Sequence, residues 1–136
     1  MTRRLYPAWL RRRRRGAAEP TTMEDLAIAL TTGDRTRIRS LLRLDVVLVI
    51  DSGGLVPESS TPIEGRTAAS AGLRALMTGD TSVTAVPING VQGIVLRRDG
   101  AVVAAITAES RSRLLSTLWV VCNPEKLRHW NRAVDG

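Results

Sequence analysis

The feature that most constrains the fold is a pair of turn dipeptides, Asn89-Gly90 and Asp99-Gly100. Asp-Gly between two apolar segments is a strong signal for a type I′ hairpin, since both turn residues accept a positive φ. The dipeptides and a polar turn at residues 109–113 separate four segments of strand length, which are residues 81–88, 93–98, 101–108 and 114–121. The second half of the chain is therefore predicted to be an antiparallel meander.

The first half begins with helical periodicity. An apolar stripe at i, i+3, i+4 and i+7 predicts a first helix through Met23, Leu26, Ala27 and Leu30. Thr21 and Glu24 have the spacing of a capping box, and Gly33 is expected to end the helix. Asp34 then caps a predicted second helix. The buried stripe of this helix is expected to contain Ile38, Leu41 and Leu42. A ridge of arginines on another face is expected to be solvated and contains Arg35, Arg39 and Arg43.

Residues 46–50 are all apolar and mostly β-branched, which predicts a strand buried on both faces. The polar, Gly-rich residues 51–54 end this strand, and Thr67 is expected to cap a third helix that reaches Met77. Asn123-Pro124 predicts the start of a short final helix. This order predicts an α+β fold, with a curved antiparallel sheet packed on three N-terminal helices around a conical cavity.

The charge is distributed unevenly along the chain. Residues 1–22 hold seven Arg and one Glu, whereas residues 23–136 hold thirteen basic and twelve acidic side chains. Like charges in the run Arg11–Arg15 favour a disordered tail, with a contact to nucleic acid or anionic lipid as the alternative. Residues 23–136 are expected to form one domain, and Met23 is a candidate translation start.

Cys122 is the only cysteine, so the chain can form neither an internal disulfide nor a Cys-rich metal site. This composition suits a reducing cytoplasm, and no apolar run is long enough to span a bilayer. His129 is the only histidine and is expected at a helix end. We therefore expect no metal and no cofactor.

Two motifs resemble a known group of domains. Residues 51–57 (Asp-Ser-Gly-Gly-Leu-Val-Pro) and 123–130 (Asn-Pro-Glu-Lys-Leu-Arg-His-Trp) resemble the SnoaL-like domain at the C-terminus of some bacterial extracytoplasmic-function sigma factors. In that group a strand ends in an Asp-Gly-Gly-Gly-Lys-like motif, and the domain closes with an Asn-Pro-Asp-Lys-Leu-like motif. Residues 86–100 are also similar, so the resemblance covers roughly residues 23–132.

The resemblance implies a SnoaL-like, nuclear-transport-factor-like cone that modulates a sigma factor by contact with its core regions or with RNA polymerase. The positions implied to carry this effect are Asp51, Gly53, Gly54, Asn123, Pro124, Lys126 and Leu127. Ser52 and Leu55 depart from the Gly and Lys of the family motif. Because no DNA-reading helices precede the domain, we expect either a stand-alone relative or a remnant of a sigma factor, and not a working sigma factor.

The same fold class includes ketosteroid isomerases, polyketide cyclases and epoxide hydrolases, which place a carboxylate base inside the cone. Asp51 is the weak candidate for such a base, and a turn-capping role before Gly-Gly is its other interpretation. The cavity Tyr of the isomerases has no counterpart, because the only tyrosine is Tyr6 in the tail. Asn89 is a turn residue or a ligand contact, and Trp119 is expected in the core or the cavity wall.

Three hypotheses follow for the function. The first is a non-enzymatic module for ligand binding or protein interaction in the regulation of transcription initiation, whose partner is a sigma factor or RNA polymerase. A small apolar ligand in the cone is a further expected partner. The second hypothesis is a small-molecule isomerase, cyclase or hydrolase with a cone-shaped pocket, and the third is a structural homodimer formed through an open sheet face.

Overall fold

The computed structural model of the chain describes residues 16–52 and 62–128. In this part of the chain, helices α1 (Pro20–Thr32) and α2 (Arg35–Ser40) precede the first strand. Helix α3 (Arg66–Ala75) lies between two strands. The α+β class is confirmed, whereas three helices at the N-terminal end are not, because only two described helices precede the sheet.

Six strands form one sheet. In chain order they are β1 (Leu42–Asp51), β2 (Ile63–Glu64), β3 (Thr81–Ile88), β4 (Val91–Arg98), β5 (Ala101–Arg111) and β6 (Leu114–Val121). Their order across the sheet is β2-β1-β6-β5-β4-β3. Neighbouring strands are antiparallel except β1 and β6, which are parallel. The expected antiparallel sheet is thus corrected to a mixed one, because a long crossover returns β6 beside β1 in the same direction.

The start of α1 differs from the prediction. The helix begins at Pro20 with Glu19 as its N-cap, and no side chain caps it, so the capping box of Thr21 and Glu24 is wrong. Proline sets φ for the first helical residue and needs no amide partner there, which explains the earlier start. Met23 is fully buried inside the helix. Residues 16–18 precede it and pair with β5.

The other helix boundaries are partly as predicted. The Asp34 carboxylate accepts a hydrogen bond from the Arg37 amide at 3.0 Å, which confirms the cap of α2. Helix α3 begins after Gly65, so Thr67 is inside the helix and does not cap it. Strand β1 begins at Leu42, and Arg43 therefore belongs to the sheet instead of to the arginine ridge of α2. Backbone pairing with β6 takes over where the predicted helical stripe would continue.

The turns of the meander are set by positive φ. Asp99 and Gly100 have φ of 54° and 80°, and Asn89 has φ of 50°, which confirms both dipeptides as turns. The third turn is Ser112-Arg113, with φ of 53° and 71°. The predicted polar turn at residues 109–113 was therefore wrong for its first three residues, since these pair with β6 as part of β5.

The strain in the third turn leads to a stability prediction. Non-glycine residues other than Asn and Asp rarely adopt a positive φ, and Ser112 and Arg113 do so in succession. Replacing them with Asn-Gly is expected to raise the free energy of unfolding by about 1 kcal/mol. Urea denaturation of the two chains measures the difference. A double variant no more stable than the original chain would show that this turn stores no strain.

The core lies on both faces of the sheet. Helices α1 to α3 cover one face, where Leu26, Ile38 and Leu73 pack with alternate strand residues such as Leu118. The opposite face carries a smaller apolar cluster of Ile88, Val95, Val102, Ala105, Val121 and Leu127. Bulges occur in β5, in β6 and near the start of β1, and bulges bend strands, so the sheet curves around the helices.

Candidate functional site

The parallel pairing of β1 and β6 brings the two resemblance motifs together. Asp51 is the last residue of β1 and lies opposite Val121, the last residue of β6. The Cys122 amide donates a hydrogen bond to the Asp51 carbonyl at 2.8 Å, so the pairing continues one residue further. Because parallel strands end at the same sheet edge, residues 51 and 122–127 become neighbours although about seventy positions separate them.

An ion pair joins the two motifs at this edge. The Lys126 ammonium donates a short hydrogen bond to the Asp51 carboxylate, and about a quarter to a third of each side chain is exposed. Lys126 is the only lysine of the chain, and the other nineteen basic side chains are arginines. Both groups are partly shielded from water, which strengthens their attraction relative to a fully exposed pair.

The segment that carries Lys126 is a capped helical turn packed on the sheet. The Asn123 side-chain oxygen accepts a hydrogen bond from the Glu125 amide at 3.0 Å, and residues 124–128 are helical, with Pro124 first. This confirms the predicted start of the final helix. Leu127 is buried in the apolar cluster on the sheet face away from the helices. We name Asp51, Asn123, Pro124, Lys126 and Leu127 the motif corner.

The remaining predicted site residues are not all part of the motif corner. Gly53 and Gly54 lie outside the described residues, as do the tail arginines, His129 and Trp130. Asn89 is in the turn between β3 and β4. Asp51 lies in one row across the sheet with Val95, and Val95 is six residues after Asn89 along the chain. Trp119 is buried on β6 opposite Thr107. Trp119 therefore fits the predicted core role. A ligand contact by Asn89 or by Trp119 stays a prediction.

The orientation of Asp51 bears on the catalytic hypothesis. Leu48 belongs to the helix-facing core, and side chains alternate along a strand, so Asp51 shares the opposite face with Val49. Its carboxylate is bound by Lys126 there. Among the described residues the only buried polar side chains are Ser52, Ser70 and Thr107. A base role for Asp51 stays a prediction, and its geometry directs it away from the helix-covered interior.

Sequence reasoning missed a cleft of about 230 Å³ on the helix-facing side. It is lined by Leu76 and Thr78 after α3, by Arg98, and by apolar residues of β5 together with Cys122. The Arg98 guanidinium donates to the Leu76 and Thr78 carbonyls, each at 3.2 Å. Arg98 thus closes the C-terminal end of α3, a contact that no local sequence pattern indicates.

Cys122 is about half-buried at this cleft. Burial raises the pKa of its thiol, and the nearby Asp51 carboxylate raises that pKa further. Because the thiolate is the nucleophile, a raised pKa leaves less reactive thiolate at any pH below it. We expect iodoacetamide to alkylate the folded chain at pH 8 several times more slowly than the urea-unfolded chain. Mass spectrometry measures the alkylation of the single cysteine directly. Equal alkylation rates for the folded and the unfolded chain would contradict a buried thiol with a raised pKa.

The ion pair of the motif corner makes a separate prediction. Asp51→Ala, Lys126→Ala and the double variant form a thermodynamic cycle that isolates their interaction. Because both side chains are partly exposed, we expect a coupling of about 1 kcal/mol in the free energy of unfolding. Urea denaturation of the four chains measures it. A coupling near zero would mean that the two motifs touch without stabilising each other.

Two further findings concern the described part of the chain. It contains no group of three or more His, Cys, Asp or Glu side chains placed to hold a metal ion. No helix within residues 16–52 and 62–128 is long and apolar enough to cross a membrane.

The fold can now be compared with known proteins. No protein-family model and no curated protein sequence matches the chain. Among solved structures, the extracytoplasmic function sigma factor SigJ of Mycobacterium tuberculosis superposes with a TM-score of 0.61 at 23% identity. That match covers 79% of this chain and 43% of SigJ.

Two further solved structures have similar architecture. An NTF-2 like protein of unknown function from Burkholderia xenovorans gives a TM-score of 0.56 at 16% identity, over 76% of this chain and 80% of that one. An LEH-like epoxide hydrolase of Mycobacterium tuberculosis gives 0.53 at 15% identity, over 84% and 89%. Identities this low establish the architecture only. The chain therefore has the α+β cone fold of the nuclear-transport-factor-2-like, or SnoaL-like, proteins.

Proposed function

We propose that the chain is a non-enzymatic interaction module that regulates transcription initiation by contacting a sigma factor or RNA polymerase. The observation that carries this proposal is the convergence of the two sigma-factor-like motifs into the motif corner. The motifs are far apart in sequence, yet Lys126 and Asp51 are in direct contact. Residues of two motifs that resemble one group of proteins therefore meet at Asp51 and Lys126, which supports a shared surface for one partner.

The local structure suits protein contact better than chemistry. Leu127 is buried and the Cys122 amide bonds to the Asp51 carbonyl, so the segment is fixed to the sheet, and Asn123 caps its helical part. Pro124 and Glu125 are exposed beside it, and the corner presents one cation and one anion. A rigid surface with few side chains left to order loses little entropy when a partner binds.

The similarity to SigJ supports the proposal at the level of architecture. The chain spans less than half of SigJ, so the activity of that whole protein comes to this chain only as part of the proposal. A carboxylate buried in the cone would favour the enzyme hypothesis, and none is buried among the described residues. The similarity to the epoxide hydrolase supports the enzyme hypothesis, again at the level of architecture only.

The single lysine allows a direct test of the motif corner. Apart from the N-terminal amine, Lys126 carries the only primary amine of the chain. An imidoester cross-linker keeps the positive charge of the amine that it modifies. It is attached at Lys126 with a photoreactive second arm, and the labelled chain is added to native-host lysate and illuminated. Identification of cross-linked peptides from a sigma factor or from RNA polymerase is the expected result.

Matched variants distinguish a specific contact at the motif corner from accidental recovery of a protein. Lys126→Arg keeps the charge at the corner but removes its amine, so cross-links from residue 126 should vanish, leaving only those from the N-terminal amine, while affinity capture of the same partner persists. Asn123→Ala combined with Lys126→Ala should lose capture as well. Recovery of neither sigma factor nor polymerase with the intact chain, or equal capture by the double variant, would remove the proposal.

A small ligand is a second candidate because of the cleft near Cys122. The cleft is large enough for a small ligand, and its lining combines apolar side chains with the polar groups of Arg98 and Thr78. Thermal shift measurements with a panel of small apolar carboxylates test this candidate, with Val103→Trp as the variant that fills the cleft. A shift that Val103→Trp abolishes would support ligand binding, and shifts unchanged by the variant would exclude this cleft.

A further inference from the structure

Strand β3 forms one edge of the sheet. All eight of its residues pair with β4 without a register shift, from Thr81 opposite Arg98 to Ile88 opposite Val91. Among the described residues no strand lies on the other side of β3. The strand therefore presents a regular backbone edge along its whole length, and such an edge can pair with another strand.

The hairpin determines which backbone groups of β3 point away from β4. The two-residue turn Asn89-Gly90 closes on Ile88 and Val91, which form a hydrogen-bonded pair in a hairpin of this type. Hydrogen-bonded pairs occur at every second residue along an antiparallel ladder. The backbone groups that point outward therefore belong to Thr81, Val83, Ala85 and Pro87. Pro87 has no amide to donate to β4, so its position among the outward residues agrees with this assignment.

This edge has few of the features that normally prevent pairing with another chain. Edge strands are commonly protected by charged side chains, by bulges or by proline. Strand β3 has no charged residue, and its pairing with β4 contains no bulge. Pro87 is next to the end of the strand, so it blocks the edge only there. The other outward residues, Thr81, Val83 and Ala85, each keep an amide and a carbonyl group.

The outward residues of β3 are complementary to a second copy of themselves. In two antiparallel β3 strands related by two-fold symmetry, Val83 lies opposite the partner's Val83, and Thr81 lies opposite the partner's Ala85. Residues in such pairs exchange backbone hydrogen bonds in both directions, and Pro87 falls beyond them. Ser82 then faces the partner's Thr84, and both positions are exposed in the single chain. Serine and threonine are a favourable pair across two strands.

We propose that the outer edge of β3 is an interaction surface for a second copy of this chain, with the two sheets joined by antiparallel pairing of their β3 strands. The charge pattern favours a second copy over a different partner. Two-fold pairing brings equivalent residues close together, so a charged residue on β3 would face a like charge across the joined edge. Strand β3 has no such residue, although 24% of the residues in the chain are charged.

The neighbouring helix adds to this surface. Helix α1 packs on β3 and β4. Two-fold pairing places both copies of α1 on the same side of the continuous sheet, next to the joined edge. Helix α1 carries Ile28, one of the two large hydrophobic side chains that are exposed in the described part of the chain. The surface is separate from the motif corner, because β4 and β5 lie between β3 and β6.

Sedimentation velocity of the full chain tests the proposal over concentrations from about 1 µM to about 300 µM. Salt at about 0.5 M screens the repulsion between chains that each carry a net charge of +7. We expect dimers at high concentration, with a dissociation constant on the order of 10 µM because strand pairing buries a small area. Hydrogen exchange with mass spectrometry locates the interface. Residues 81–88 should take up about two fewer deuterium atoms at the highest concentration than at the lowest, because the outward amides become bonded.

Matched variants test the register of the joined edge. Ala85→Pro removes one outward amide and none that bonds to β4, so it should weaken dimerisation at least about tenfold. Ser82→Lys combined with Thr84→Lys places ammonium groups opposite each other and should have a similar effect. The control, Ser40→Lys combined with Thr67→Lys, adds the same charge at exposed positions on helices that pack against β1, and it should leave dimerisation unchanged.

Several results would overturn the proposal. A chain that stays monomeric at every concentration has no such interface. A dimer in which residues 81–88 exchange equally fast at low and high concentration, or one that Ala85→Pro leaves intact, uses another surface. Equal weakening by the two double-lysine variants would show that added charge acts without regard to its position on the molecule.

Discussion

Replacing Gly93 with alanine is expected to lower the free energy of unfolding by about 3 kcal/mol. Gly93 is in the middle of β4 and is buried. A Cβ at this position would lie 2.4 Å from the Ile88 Cδ1 atom and 2.8 Å from the Ile106 carbonyl oxygen. The isoleucine end could rotate away, but the carbonyl is part of β5, the central strand beside β4. Relief therefore requires a shift of backbone, which is costly in a close-packed sheet.

Urea denaturation of Gly93→Ala measures this cost, and Gly72→Ala is the matched control. Gly72 is in α3, and its added Cβ would meet only flexible side-chain ends of Leu48 at 2.8 Å and Ile63 at 3.5 Å. Alanine also gains about 1 kcal/mol of helix propensity there. The control should therefore change stability by less than about 1 kcal/mol. Similar losses in both variants would show that the clash at Gly93 is relieved without backbone movement.

Local signals in the sequence predicted the turns of the meander correctly. Asn89-Gly90 and Asp99-Gly100 accept the positive φ that these turns require, so their own residues are enough to predict the outcome. Ser112-Arg113 carries no such signal, and the turn there is imposed by pairing between β5 and β6. The sequence pattern therefore misplaced the end of β5 by three residues.

The parallel pairing of β1 and β6 could not be predicted in the same way. The apolar run at residues 46–50 predicts a strand, but nothing in it indicates that its partner strand is seventy residues away. Predicting a meander alone led to an antiparallel sheet. The motif corner depends on this pairing, so the sequence indicated its residues through the resemblance but not their contact. Arg98 illustrates the same limit, because its acceptors follow α3 and not its own strand.

The start of a helix was predicted correctly where a single capping side chain determines it. It was missed where the neighbouring structure determines it. Asp34 caps α2 with its own carboxylate, as predicted. Thr21 and Glu24 have the capping-box spacing, yet α1 begins at Pro20, which suits the first helical position, and the segment before it pairs with β5. The local preference of proline and a tertiary contact therefore act together against the capping box at this position.

That contact sets the second large prediction, which concerns the candidate start at Met23. A chain that begins at Met23 is expected to be less stable than residues 16–136 by about 3 kcal/mol or more. It lacks the hydrogen bonds from Ala18 to the Ala108 carbonyl and from Ser110 to the Gly16 carbonyl, both 3.0 Å. It also loses the bond from the Met23 amide to the Glu19 carbonyl, together with the buried Ala18.

The new terminus adds an electrostatic cost. Met23 is fully buried, so its α-amino group would be charged at a shielded position near the positive end of the α1 dipole. Urea denaturation of residues 16–136 and 23–136 compares chains that differ only in these seven residues. Adding N-terminal acetylation to the shorter chain should recover part of the loss, because it removes the charge but not the missing contacts. Equal stabilities of the two chains would show that the paired segment contributes nothing, and Met23 would then suffice as a start.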